Sequence, residues 1–152
     1  MTANPSIRVV PLAPEHRAAW EELFAGYAAF YKVEQTPQMR ETVWGWHFDP
    51  DHESEALVAL DADGRPIGLA HFQKFSRPLG ANVAGFLNDL FVEPDSRGSG
   101  AAEALIEAVC EIGRERGWAA IRWLTAEDNY RGRSFYDRLA RKTPFIAYQI
   151  DL

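Results

Sequence analysis

Cysteine is all but absent: Cys110 stands alone among 152 residues, so neither an intrachain disulfide nor a thiolate metal cluster can form. It falls in a helical stretch with Ile106, Val109 and Ile112 and reads as a small buried hydrophobe rather than a nucleophile. No apolar run reaches the roughly 18 residues needed to span a bilayer. Met1 to Val10 lacks a basic region followed by an apolar one, so no signal peptide is read and a cytoplasmic location is expected. Positive charge is also in short supply. The net charge is −6 and the Lys and Arg residues are scattered, which speaks against a nucleic-acid surface and weakly for a cationic partner. No His/Asp/Glu spacing suggests a bound metal. Without repeats, low-complexity tracts or a linker, residues 1–152 are expected to form one domain.

What is present is a clear succession of elements. Ile7 to Val10 reads as a first strand, and Pro14 to Tyr31 as a helix with Trp20, Leu23, Phe24, Tyr27 and Tyr31 at helical spacing. A second helix starts at the capping residue Thr36 with Pro37 in its first turn, and turns Met39, Val43, Trp46 and His47 inward. Ala56 to Leu60 and Ile67 to Phe75 form a hairpin around Gly64. Ala84 to Val92 is a third apolar strand, followed by a helix from about Gly100 to Arg116 that Gly117 stops. Ala119 to Thr125, a short helix over Tyr130 to Ala140 and a last strand from Phe145 to Ile150 complete the chain. The order β-α-α-β-β-β-α-β-α-β predicts an α/β (α+β) fold with a mixed sheet and helices on its faces.

The junction "VEPDSRGSGAAEALIEAV" from Val92 carries the chemistry. Strand, glycine turn and helix is a phosphate-holding arrangement with three common users. A nucleoside-triphosphate loop needs a Lys before Ser or Thr, and Gly100 is followed by Ala101 and Ala102. A dinucleotide fingerprint wants a small third residue, and Glu103 stands there. The third reading uses Arg97-x-x-Gly100-x-Ala102, in which backbone N–H groups at a helix N-terminus hold a pyrophosphate.

"LNDLFVEPDSRGSGAAEALI" followed by "WLTAEDNYRGRSFYDRL" resembles the GCN5-related N-acetyltransferase (GNAT) family, and the likeness runs over nearly the whole chain. "FYKVEQT" and "FYDRLARKTPFIAY" look most like its histone/polyamine and diamine acetyltransferase branch. The resemblance implies acetyl-CoA as co-substrate, with no metal, and direct transfer to a primary amine of a small molecule in a ternary complex. It places the pyrophosphate on Arg97, Gly98, Ser99, Gly100, Ala101 and Ala102, and the pantetheine arm along Leu90, Phe91 and Val92. It further implies that Asn129 contacts that arm and that Tyr136 protonates the leaving thiolate; capping and packing remain open as their alternative roles.

The base is less determined. Asp89 matches an acid of the diamine branch, but Asn88 stands where that branch often has glutamate, and Glu93 is a further candidate. Strand alternation sends Asn88 and Asp89 to opposite faces unless a bulge intervenes. Tyr31, Glu34 and Asn88 are candidates for the acceptor site, with Trp44, Trp46 and His47 nearby as packing or cation–π residues. His71, among apolar residues, reads as a packed histidine. Gly132 replaces the family's usual alanine, and Arg141-Lys142-Thr143-Pro144-Phe145 replaces a commoner Gly-Phe turn. A protein-lysine acetyltransferase and a non-catalytic acyl-CoA sensor are the rival functions. Many members of the family are dimers, and a homodimer is among the expectations.

Overall fold

The computed structural model describes residues 6–152; residues 1–5, part of the Met1–Val10 stretch read above, lie outside the described residues. Strands β1 (Arg8–Pro11), β2 (Glu55–Leu60), β3 (Pro66–Arg77), β4 (Asn82–Val92) and β5 (Ile121–Trp123) form one sheet in that spatial order. The first four pair antiparallel and β5 joins β4 in parallel. Helices α1 (Arg17–Phe30) and α2 (Pro37–Phe48) precede β2, α3 (Ala101–Arg116) crosses from β4 to β5, and α4 (Tyr130–Leu139) follows β5. The fold is the mixed α/β arrangement expected from the order of elements.

Two apolar layers sandwich the sheet. On one face α3 buries Ala101, Leu105 and Val109, one helical turn apart, against Phe72, Leu87 and Val92. On the other face α1 buries Trp20, Leu23 and Phe24 against Val58, Leu69 and Phe91. Leu105 and Trp20 are completely buried, so truncating either to alanine costs about 2–5 kcal/mol through lost contacts and the cavity left behind.

Two expectations need correction. Thr36 does cap α2, its Oγ1 accepting from the Met39 N–H at 3.2 Å. The inward stripe, however, is Val43, Trp44 and His47; Met39 and Trp46 are 45% and 43% exposed. Trp44 packs on Trp20 at 5.2 Å, while Trp46 stacks on His52 outside. The helix is rotated by about one position because Arg40 turns inward to meet Glu21 and the Gln35 carbonyl. The second correction is the last strand. Residues 141–152 form no strand, and Phe145, Ile146, Tyr148 and Ile150 are exposed.

Candidate active site

The site begins where the sheet splits. β4 and β5 pair only from Gly85, Phe86 and Leu87 to Ile121, Arg122 and Trp123. β5 then ends, while β4 continues to Val92 against β3. The wedge between them opens into a cleft of about 840 Å³. Leu90, Phe91 and Val92 line it from β4, Tyr27, Phe30 and Tyr31 from α1, and Asn129 and Tyr136 from the α4 side. Arg97, Gly98, Gly100, Ala101 and Ala102 close its end, with Ser99 between them in the same turn. Ten of the eleven residues expected to hold the co-substrate thus line one cleft, and Ser99 sits within its rim. Tyr31, expected to bind acceptor, joins them.

The glycine turn is shaped for an anion. Gly98 and Gly100 have φ of +86° and +90°, a conformation that costs glycine little and strains any residue with a Cβ. Gly100 is the residue that precedes α3, so the first amides of the helix point into the cleft end without intrahelical acceptors. Ala101 N–H is partly satisfied by Ser99 Oγ at 3.3 Å. Arg97 is tied down by its own strand: Nε donates to the Val92 carbonyl at 3.2 Å, and the guanidinium lies over Phe30 and Phe91. Glu103, used above only to exclude a dinucleotide, also lines the cleft, and its buried Oε1 has no hydrogen-bond partner among the described residues.

Asn129 caps α4, accepting from the Gly132 N–H at 3.2 Å while its amide donates to Thr125 Oγ1 at 2.9 Å. Gly132 is required by this arrangement, because a methyl there would collide with the Asn129 amide nitrogen. One turn further, Tyr136 stands edge-on to Trp123 at 5.4 Å. Burial, with Tyr31 as a lesser cause, pushes its phenol up to about 12, so it stays protonated across the neutral range. Arg131 and Arg138 add positive charge to the same wall; neither was anticipated, since arginines on an exposed helix carry no sequence signal of their own.

Within β4, a β-bulge decides on which face of the sheet Asp89 lies. His71 pairs with Asp89, but Phe72 pairs with Leu87, leaving Asn88 as the extra residue. Leu87 belongs to the α3 layer, and the inserted Asn88 lets Asp89 emerge on the α1 side, in phase with Phe91. Asn88 is exposed and donates to Gln73 Oε1 at 3.1 Å. It does not line the cleft, and neither does Glu34, which is exposed between α1 and α2.

Asp89 has an ordered surround. Trp20 Nε1–H donates to His71 Nε2 at 2.9 Å, so the imidazole hydrogen sits on Nδ1, 2.8 Å from Asp89 Oδ2. The Tyr27 hydroxyl lies beside the same carboxylate, and burial first, then the charge of Asp89, drives its acidity far down. His47 packs on His71 at 4.6 Å, and burial, reinforced by His71, lowers it to about 3. His71 is thus packed, as expected, and also paired. Glu93 is otherwise engaged: Arg65 reaches it with two N–H groups at 2.9 and 2.6 Å, and this pairing holds its carboxyl below the usual range. A carboxylate made less basic in this way is a poor proton acceptor. Cys110 is half-buried and burial pushes its thiol up, away from nucleophilic use.

Comparison with known proteins decides what this cleft belongs to. Residues 18–140 match the acetyltransferase (GNAT) family. The chain belongs to that family. A D-amino-acid N-acetyltransferase of Saccharomyces cerevisiae is 29% identical over 147 residues, covering 96% of this chain and 91% of the relative. A glucosamine 6-phosphate N-acetyltransferase of Trypanosoma brucei brucei is 30% identical over 92 residues, 59% of each protein. Among solved structures, a ribosomal-protein-alanine N-acetyltransferase of Brucella melitensis superposes with a TM-score of 0.79 at 24% identity, covering 96% of this chain and 99% of that one. A soil-metagenome aminoglycoside acetyltransferase gives 0.78 at 15% identity, covering 97% of both chains; these two likenesses speak for the fold. This GNAT protein is therefore an acetyltransferase, and acetyl-CoA is the family's co-substrate. The positive-φ glycine turn, the open strand edge and the partly buried tyrosine suit a long, phosphorylated thioester.

Proposed function

We propose that this GNAT acetyltransferase, acting as one domain in the cytoplasm, moves an acetyl group to the primary amine of a small molecule of diamine or polyamine type. In this reading Arg97 to Ala102 hold the pyrophosphate through backbone N–H groups, and Leu90 to Val92 offer their open backbone edge to the pantetheine arm. When bound, acetyl-CoA supplies the activated acetyl group. The rest of the chemistry belongs to the chain. Asp89 takes the proton of the acceptor ammonium, Tyr27 and Tyr31 give it an aromatic wall, and Tyr136 holds the proton that the released sulfur needs.

His71 acts as a positioning residue. Its Nδ1–H fixes one oxygen of Asp89, and Trp20 fixes the tautomer by donating to Nε2. The observation that carries the reading is this partly exposed carboxylate, turned by the bulge to the face that carries Phe91. It is hydrogen-bonded to His71 and set beside the Tyr27 hydroxyl, although Asp89 itself does not line the cleft. An acid held there, opposite a phenol that stays protonated, forms a base–acid pair suited to direct transfer. A second reading, an α-amino acid acceptor, rests on the yeast relative and on Arg131 and Arg138, which could meet a carboxylate.

An amine screen with acetyl-CoA separates these readings. Diamines and polyamines are expected to show the highest kcat/KM. Preference for amino acids would establish the second reading. Acetylation of peptides alone would point to protein lysine, and acetyl-CoA binding without transfer to any amine would mark a sensor.

A further inference from the structure

Asp89 and the cleft do not meet directly. Leu90, Phe91 and Val92 line the cleft from β4, and Asp89, one residue earlier, does not. Its Oδ2 is already held by His71 Nδ1 at 2.8 Å. A base works only within hydrogen-bond reach of the proton it takes, or one intervening hydroxyl or water away. A group that serves as the intermediate must line the cleft and also stand against the carboxylate. Tyr27 does both.

The inner row of α1, continued by its last-turn neighbour Tyr31, explains this placement. Trp20, Phe24, Tyr27 and Tyr31 recur three or four residues apart and so share one helix face. Trp20 donates to His71 Nε2 at 2.9 Å, and Phe24 stands edge-on to the same imidazole at 4.8 Å. Further along the row, Tyr27 stands edge-on to Phe91 at 6.0 Å and to Tyr31 at 5.0 Å. His71 is the cross-strand partner of Asp89, and Phe91 follows it by two residues on the same face. The row thus passes from one flank of Asp89 to the other. The Tyr27 hydroxyl is set beside the carboxylate, placed to donate to it, while the residue lines the cleft next to Phe30 and Tyr31.

Tyr27 is not itself the base. Burial first, then the charge of Asp89, holds its proton in place, so no phenolate forms in the neutral range. A phenol can nevertheless accept at its oxygen while it donates its hydrogen.

We propose that the Tyr27 hydroxyl carries the proton of the acceptor ammonium to Asp89, an inference that rests on the reading of Asp89 as the base. The tyrosine oxygen takes a proton from the ammonium as its own hydrogen passes to a carboxylate oxygen. One N–H and one O–H bond break, and one O–H bond forms on each oxygen. The nitrogen keeps its electron pair for attack on the thioester. Tyr27 ends as a phenol, as it began, and Asp89 ends as the neutral acid. His71, bonded to Oδ2, keeps the carboxylate from turning away.

Tyr27→Phe keeps the ring and removes only the hydroxyl. With strongly basic primary amines kcat should fall about 100-fold, the scale of a lost proton-transfer route. Asp89→Asn should cost the same, and the double variant should lose no more than either alone, because both cut one route. Acetyl-CoA affinity in calorimetric titration should stay within about twofold, which also reports that the variant is folded. The loss should shrink for amines that are already neutral at the assay pH. Native turnover in Tyr27→Phe beside a crippled Asp89→Asn overturns the relay and leaves Asp89 as the base. Multiplying losses in the double variant, or an equal loss with every amine, overturns the relay as well. Native turnover in both single variants overturns the reading of Asp89 itself.

Discussion

Asp89 owes its position to one inserted residue and its orientation to one imidazole. Replacing it by asparagine keeps the shape and removes the proposed proton acceptor, so turnover should fall about 100-fold, the scale of general-base contributions. Acceptors with weakly basic amines reach the site already neutral, and the Asp89→Asn penalty should shrink for them. An equal loss with every amine would place the base elsewhere. His71→Phe should lower kcat in the same acceptor-dependent way, because it frees the Asp89 carboxylate and leaves the glycine turn alone. Loss of acetyl-CoA affinity instead would mean that His71 supports the fold only.

Tyr136→Phe removes a hydroxyl whose proton is retained because burial disfavours the phenolate. Turnover should drop while the acetyl-CoA dissociation constant stays within about twofold, the pattern of an interaction used only in the transition state. Unchanged turnover in stopped assays would remove the tyrosine from the acid role.

At the scale of elements, the helices report how the site is held. His47 fixes α2 to the Trp20–His71 cluster in neutral form. Its value of about 3 in the fold lies below the ordinary 6.5, so the unfolded chain binds the extra proton between these limits. Its contribution to stability is therefore complete above about pH 6.5 and is lost as pH falls toward 3, with a slope of about 1.4 kcal/mol per pH unit. Urea unfolding from pH 7 to pH 4 should show that slope in the native chain and lose about one proton's worth in His47→Leu; identical slopes would contradict it.

Gly132→Ala sets two effects of about 1 kcal/mol against each other, better helix propensity against loss of the Asn129 cap. Stability should hardly change, but Asn129 must move out of the cleft wall, so acetyl-CoA affinity should weaken in calorimetric titration. Preserved affinity would show that Asn129 serves as a cap alone.

Much of this was legible in the chain. Leu105 and Val109 at helical spacing, the capping Thr36 and the apolar run to Val92 express periods of 3.6 and 2 that burial imposes directly. The Arg97–Ala102 turn was legible because positive φ demands glycine. The bulge was not: Asn88 fits a regular strand as well as an inserted position, and only the pairing of Phe72 with Leu87 reveals it. The inward face of α2 was misjudged because four aromatic side chains crowd twelve residues, and Arg40, an apparently exposed cation, turned inward.

At the scale of the molecule, the splayed β4–β5 pair is what makes a compact sheet into an enzyme. The α3 and α1 layers bury both faces of the sheet, and the end of β4 beyond its ladder with β5, Leu90 to Val92, opens onto the cleft that the glycine turn and Tyr136 also line. The final strand was expected from the sequence, and Phe145 to Ile150 do have strand chemistry; what they lack is a pairing strand among the described residues. The acceptor class was the least legible feature, since Glu34 and Asn88 lie off the cleft and the residues beside Asp89 are ones that cores also use.

The most direct test of the account follows thiol release from saturating acetyl-CoA, with and without an excess of primary amine. The account expects release at an enzymatic rate only when the amine is present, matched mole for mole by N-acetylated product, and an unmodified protein mass after acetyl-CoA alone. Release that proceeds equally without amine, or an acetylated protein formed before amine is added, would contradict direct transfer in this cleft.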